Sequence, residues 1–124
     1  MNNLDDEALN EVARYFGALA VPMRLKIVNA LRGGERNVGE LTAITQCTQA
    51  NVSKHLAVLA QSGMVAKTAR GTSAYYRCAD PRIYQLCELV CGQLGRRYEQ
   101  QSGRHRLFTA VAPASRKRAS IRSR

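Results

Sequence analysis

The sequence predicts a mainly α-helical domain with a small β-hairpin, built to form a dimer. Apolar residues recur at steps of three and four over most of residues 4–61, which is the helical period. The pattern changes after Gly63 to two short strand-like segments. The last helical segment then carries one continuous apolar stripe. No later segment of the chain is apolar enough to cover this stripe, so a second subunit is expected to cover it. That stripe consists of Ile83, Leu86, Cys87, Val90, Cys91 and Leu94.

The first two helices are predicted from their end signals. Acidic residues at positions 5–7 favour a helix N-terminus, and the apolar pattern continues to Phe16. Pro22 suits the first turn of a second helix because that turn needs no proline N–H. Gly33 and Gly34 end this second helix.

The third and fourth helices form a helix-turn-helix. Residues 38–44 make a short helix, and Thr48 is a good N-cap for the next one. This next helix ends at residues 62–63, where Gly63 can take the left-handed C-terminal conformation. The fourth helix begins with polar side chains and then turns Val52, Leu56 and Leu59 inward. Two helices of unequal length joined by a few residues, with this distribution of side chains, are typical of the motif that binds DNA.

A hairpin and a fifth helix complete the predicted order. Residues 64–68 and 74–78 favour strands, and the loop 69–73 contains the glycine that a hairpin turn prefers. Asp80 as N-cap and Pro81 at the first helical position predict the start of the fifth helix.

Charge divides the chain into a domain and a tail. The 124 residues include 19 Lys and Arg and 9 Asp and Glu, a formal net charge of +10, which favours polyanionic partners. Residues 1–102 contain all nine acids, whereas residues 103–124 contain seven basic residues and no acid. We therefore expect a folded domain over 1–102 and a basic, disordered tail over 103–124.

Several function classes are disfavoured by the same sequence. No segment is long and apolar enough to span a membrane, and the acidic N-terminus has no secretory core, so a cytoplasmic location is expected. Neither a glycine-rich phosphate loop nor a Cys-x-x-Cys pair is present, which argues against an enzyme. A less specific nucleic-acid binder that uses the tail remains an alternative to a sequence-specific regulator.

The helix-turn-helix predicts which side chains read DNA. The N-terminal part of its second helix enters the major groove, where Gln and Asn bond adenine, Lys reaches guanine or phosphate, and Thr or Ser holds a phosphate oxygen. The basic residue at the hairpin tip can reach the minor groove or the backbone. The alternative in each case is an ordinary solvated or packing side chain. The candidates are Thr48, Gln49, Asn51, Ser53, Lys54, His55 and Arg70.

The chain resembles the ArsR/SmtB family of winged helix-turn-helix repressors, which are dimeric bacterial DNA-binding sensors. The resemblance implies a homodimer on an inverted repeat of double-stranded DNA, with the first and last helices at the dimer interface. It also implies repression that a small inducer relieves. The resembling segments, which extend over roughly residues 10–95, are 20–25, 38–41, 51–56, 62–65 and 75–77.

The known sensing sites of that family are not preserved in this sequence. Three metal sites and one paired-cysteine site would need thiol, imidazole or carboxylate side chains at defined positions. Only Asp80 matches. The other positions correspond to Asn29, Asn37, Val58, Ser62, Arg82, Gln93 and Arg96.

Cys87 and Cys91 are the remaining candidates for a sensor. A spacing of four puts both sulfurs on one face of a helix, about 6 Å apart, close enough to share As(III), Cd(II) or Zn(II). In the family's dimer the last helices approach each other, which allows a four-sulfur cluster with the second subunit. Cys47 is a third candidate because a neighbouring helix N-terminus favours a thiolate. The alternative is that these cysteines only pack, and that the regulator senses neither metal nor thiol chemistry.

Overall fold

The computed structural model describes residues 3–102, with side chains up to Glu99. The predicted basic tail, residues 103–124, lies outside the described residues. The described residues divide into two compact units, the first ending at Pro81 and the second beginning at Arg82. The first unit contains α1 (Asp6–Leu19), α2 (Pro22–Ala30), a 3₁₀ turn (Leu31–Gly33), β1 (Arg36–Asn37), α3 (Val38–Thr45), α4 (Gln49–Gln61), β2 (Val65–Arg70) and β3 (Ser73–Cys78), and the second contains α5 (Arg82–Ser102).

The predicted helix ends are set by local chemistry. The Asp5 carboxylate accepts a hydrogen bond from the Ala8 N–H at 2.8 Å, so α1 begins at Asp6, within the acidic segment that predicts its N-terminus. Pro22 is the first residue of α2, as expected. Gly34, with φ of 129°, ends the turn that follows α2.

The hairpin is longer and its turn tighter than the sequence predicts. β2 and β3 pair from Val65 opposite Cys78 to Arg70 opposite Ser73, so only two residues remain in the loop. Gly71 has φ of 62° and Thr72 does not have a positive φ, which matches a turn with glycine at its first central position. The predicted five-residue loop is therefore wrong, because three of its residues pair across the strands.

A third strand joins this sheet. β1 pairs with β3, with Arg36 opposite Tyr76 and Asn37 opposite Tyr75, and the strand order is β1-β3-β2. Two residues are too few for an alternating pattern, so the sequence did not predict β1. With this addition the structure confirms a winged helix-turn-helix.

The core of the first unit lies among α2, α3, α4 and the sheet. Thr45 is its buried polar residue, and its hydroxyl donates to the Leu41 carbonyl at 2.7 Å, which satisfies the oxygen without water. The side chains with no exposed surface are Ile27, Leu41, Val52, Leu56 and Leu59.

The last helix, α5, is 21 residues long and begins at Arg82, one residue after the predicted Pro81. Cys87 and Cys91 on its predicted stripe are half-buried, whereas Val90 is 48% exposed and the neighbouring Leu89 is 72% exposed. Among residues 3–102 no helix combines the length and hydropathy that a membrane span requires.

Candidate nucleic-acid interface

The turn between α3 and α4 is defined by hydrogen bonds at both helix ends. Asn37 and Glu40 form a reciprocal capping box at the start of α3, with bonds of 2.8 and 2.9 Å. Gln46 ends α3 in the left-handed conformation, with φ of 58°, and its N–H donates to the Thr42 carbonyl at 2.8 Å. The Thr48 hydroxyl oxygen accepts from the Asn51 N–H at 3.2 Å and caps α4, as the sequence predicts.

The two faces of α4 differ completely in burial. Val52, Leu56 and Leu59 follow the helical steps of four and three, and all three are fully buried. The polar residues of the first two turns are exposed: Lys54 lies opposite this stripe, Asn51 and Ser53 lie at its sides, and Gln49 lies beyond its N-terminal end. This exposed polar face, made of Gln49, Asn51, Ser53 and Lys54, is what the sequence predicts for a groove-reading surface.

His55 lies at the border of the two faces and has a protein partner. Its Nδ1 accepts a hydrogen bond from Arg24 Nε at 3.2 Å, and Arg24 Nη1 also donates to the Ala18 carbonyl at 3.2 Å. Burial lowers the pKa of His55, and the positive charges of Arg24 and Lys54 lower it further. The acceptor role of Nδ1 matches a neutral ring that carries its proton on Nε2.

The Arg24–His55 contact connects α2 to α4, the helix that the sequence predicts to read DNA. The two residues are 31 positions apart, so no local spacing in the sequence points to the pair. The resemblance of residues 20–25 to the family points to the segment that contains Arg24. It does not indicate that Arg24 contacts His55. Arg24 is the residue of this region that the sequence analysis missed.

Arg70 also has partners within the domain. It is the last residue of β2, beside the turn, and its guanidinium pairs with the Glu35 carboxylate. The same group lies over the Tyr75 ring, 5.0 Å from the centroid, at cation–π distance. The Arg70 side chain is 57% exposed, so it reaches solvent while being held at the edge of the sheet.

The four cysteines are half-buried thiols. Cys78 donates to the Asp80 carbonyl at 3.3 Å, which gives it a local structural contact. Cys47 lies in the turn before α4, whereas Cys87 and Cys91 lie one turn apart on α5. Within residues 3–102 no three His, Cys, Asp or Glu side chains come together as a metal-binding group.

The chain is similar to known transcription regulators in both sequence and fold. Residues 22–67 match the family model described as bacterial regulatory protein, arsR family. The arsenical resistance operon repressor of Bacillus subtilis is 34% identical over 94 residues, which cover 73% of this chain and 90% of that protein. A probable mercury resistance operon repressor of Streptomyces lividans is 38% identical over 78 residues, covering 63% of this chain and 62% of the relative.

A solved structure has the same fold. It is the homodimeric winged helix-turn-helix DNA-binding domain, fragment 1–100, of a possible ArsR-family transcriptional regulator from Mycobacterium bovis. The TM-score is 0.69 at 31% sequence identity, and the alignment covers 82% of this chain and 97% of that one.

Proposed function

The chain belongs to the arsR family of bacterial regulatory proteins, and we propose that it represses transcription as a homodimer bound to an inverted-repeat operator. The observation that carries this proposal is the set of exposed polar side chains in the first two turns of α4, beside a fully buried apolar stripe. Gln49 and Asn51 suit adenine, and Lys54 suits guanine or phosphate. Thr48 retains its hydroxyl proton for a phosphate oxygen, because the contact to Asn51 uses only the oxygen as acceptor.

Dimerisation is needed for specific binding by this motif. Two reading helices must lie about 34 Å apart to enter successive major grooves on one side of the duplex. The related structure from Mycobacterium bovis is homodimeric. In this chain, large apolar side chains on α1 and α5 remain exposed, and apolar surface of this kind supports subunit association. They include Leu9, Phe16, Leu89 and Val90.

The experiment that tests repression is a fluorescence anisotropy titration on the DNA upstream of the chain's own gene. We expect saturable binding by two subunits that survives an excess of unrelated duplex DNA. Binding that unrelated DNA removes completely would instead support the less specific nucleic-acid binder.

We further propose that Cys87 and Cys91 form the sensing site. They are one helical turn apart, half-buried, and chemically suited to As(III), Cd(II) or Zn(II). Two thiolates from one chain leave a thiophilic ion short of ligands, so the corresponding pair of the second subunit would complete the site. The relatives named above are repressors of arsenical and mercury resistance operons, which supports this class of inducer.

The sensing proposal predicts a variant that binds DNA but does not respond. With both Cys87→Ser and Cys91→Ser, operator affinity should stay within about twofold of the parent, because neither residue lies on α4. Arsenite or cadmium should release the parent from DNA but not the variant, since the hydroxyl is a poor ligand for either ion. Anisotropy at fixed protein and increasing ion measures both properties. Cys78→Ser is the matched control, and release that persists in the double variant would assign the two cysteines to packing.

The contact between Glu35 and Arg70 predicts a variant with stronger DNA binding. Glu35→Gln removes the carboxylate that competes with phosphate for Arg70, so affinity should rise by about two- to fivefold, the range of a partly exposed ion pair. The dependence of affinity on salt should steepen by about one unit per subunit, because one more phosphate is neutralised. Anisotropy at several salt concentrations measures both. Glu7→Gln makes the same change of charge on α1, and an equal gain there would refute a specific role for Arg70.

A further inference from the structure

A cleft beside the reading helix has no role in the function proposed so far. It lies within the first unit, between α1, α2 and the C-terminal half of α4, and has a volume of about 540 Å³. Clefts of this size hold small organic molecules. Its lining includes Glu11, Arg14 and Tyr15 from α1, Arg24 from α2, and Val58 and Gln61 from α4.

The charges in this cleft do not balance. Arg14 pairs with Glu11, so these two charges offset each other. Arg24 is half-buried, and its two protein partners, the His55 ring and the Ala18 carbonyl, are both neutral. In the part of the chain that the structure describes, no carboxylate pairs with Arg24. A partly desolvated cation without a counter-ion favours the binding of an anion.

Arg24 also has hydrogen-bond donors to spare. A guanidinium carries five N–H groups, and the two recorded bonds use one from Nε and one from Nη1. The remaining donors suit a carboxylate, which accepts two parallel bonds from arginine. The aromatic ring of Tyr15 and the side chains of Ala18 and Val58 supply apolar surface in the same cleft. The combination fits a small acid with an apolar body.

We propose that this cleft binds a small aromatic or branched carboxylate, with the acid group on Arg24 and the apolar body against Tyr15 and Val58, and that its occupancy weakens DNA binding. The second half of the proposal rests on the proposed function. The site is separate from Cys87 and Cys91 and would respond to a different class of molecule.

The coupling to DNA follows from the position of α4. This helix supplies one wall of the cleft through Val58 and Gln61, and its His55 accepts a bond from the same arginine that the ligand would engage. A carboxylate bonded to the spare donors of Arg24 draws the guanidinium toward itself and strains its bond to His55 Nδ1, which changes how α4 is held against α2. Because Gln49 and Lys54 lie on the same helix, a small rotation of α4 relative to α2 displaces these proposed groove-reading side chains. By linkage, DNA should weaken ligand binding by the same factor.

Benzoate is a suitable probe, and benzamide is its neutral counterpart of the same shape. In ¹H–¹⁵N spectra of the full chain without DNA, benzoate should shift the Arg24 Nε–H signal and the amide signals of Val58 and Gln61, with a dissociation constant of about 1 mM. Benzamide should not. Bound benzoate should also raise the pKa of His55, because a negative charge near the ring opposes the influence of Arg24.

Three variants identify the site. Arg24→Gln should weaken benzoate binding at least about tenfold, since it removes the cation and the paired bonds. Lys26→Gln removes an exposed positive charge from the same helix, outside the cleft, and should leave binding unchanged. Arg24→Gln also removes contacts to Ala18 and His55, so Gln61→Trp provides a second test. It places a bulky indole at the wall of the cleft while keeping those contacts, and by obstructing the cleft it too should abolish benzoate binding.

The outcomes separate this proposal from the proposed function. The site is refuted if benzoate causes no saturable shifts, if benzamide binds equally well, or if Gln61→Trp binds benzoate as the parent does. Where benzoate binds, it should release DNA from the parent and from the Cys87→Ser, Cys91→Ser variant alike, but not from Gln61→Trp. Unchanged DNA affinity in the presence of saturating benzoate would refute the coupling. Failure of the chain to bind DNA would contradict the proposed function, while the spectra still decide the cleft.

Discussion

Replacing both Gln49 and Lys54 with alanine should lower specific DNA affinity by about a hundredfold or more. Each good contact to a base edge contributes about 1–3 kcal/mol, and a homodimer loses every contact twice. Both side chains are exposed, so the free energy of unfolding should change by less than about 0.5 kcal/mol per substitution. Anisotropy titrations on specific and unrelated duplexes, together with thermal unfolding by circular dichroism, measure the two effects.

Lys26→Ala is the matched control for this experiment. It removes an exposed positive charge from α2, outside the polar face of α4, so it should reduce affinity for all duplexes slightly and equally. A Gln49→Ala, Lys54→Ala variant that retains the parent's affinity and specificity would refute the assignment of α4 as the reading helix. Equal loss on specific and unrelated DNA would restrict these residues to phosphate contacts.

Leu56→Ala should have the largest effect on stability. Leu56 lies on α4 with no exposed surface, so the substitution leaves a cavity that costs about 2–5 kcal/mol. A domain of this size has about 5–15 kcal/mol of total stability, so the variant should unfold at clearly lower urea concentration. Leu25→Ala is the matched control: Leu25 is 43% exposed, and its truncation should cost less than about 1.5 kcal/mol. Similar losses in both variants would contradict a core built on the buried face of α4.

The sequence predicted those features that depend on local chemistry. Thr48 as N-cap, Pro22 at the start of α2 and Gly63 with positive φ after α4 each follow from the hydrogen bonds or backbone conformation that one residue type allows. The burial of Val52 and the exposure of Lys54 follow from helical period alone. These features account for the correct fold class and for the correctly predicted burial of Val52, Leu56 and Leu59 on α4.

The features that the sequence did not predict depend on contacts between distant segments. β1 exists because Asn37 meets Tyr75 across the sheet, and two residues contain no periodic signal. Arg24 and His55 are 31 positions apart, and Glu35 and Arg70 are likewise joined only by the folded chain. Both pairs involve a predicted DNA-binding residue, so tertiary contacts modify the chemistry of the candidate site after the local pattern has defined it.

Asn37 has two roles that bear on how an operator can be recognised. The same residue pairs with the hairpin strand β3 and caps α3, the first helix of the helix-turn-helix. Because one residue takes part in both the sheet and the cap of α3, the hairpin is held at a set distance from the helix-turn-helix. We therefore expect little tolerance for extra base pairs between the part of a half-site that α4 contacts and the part that the hairpin contacts. Variable spacing between the two half-sites must instead be accommodated at the interface between the subunits.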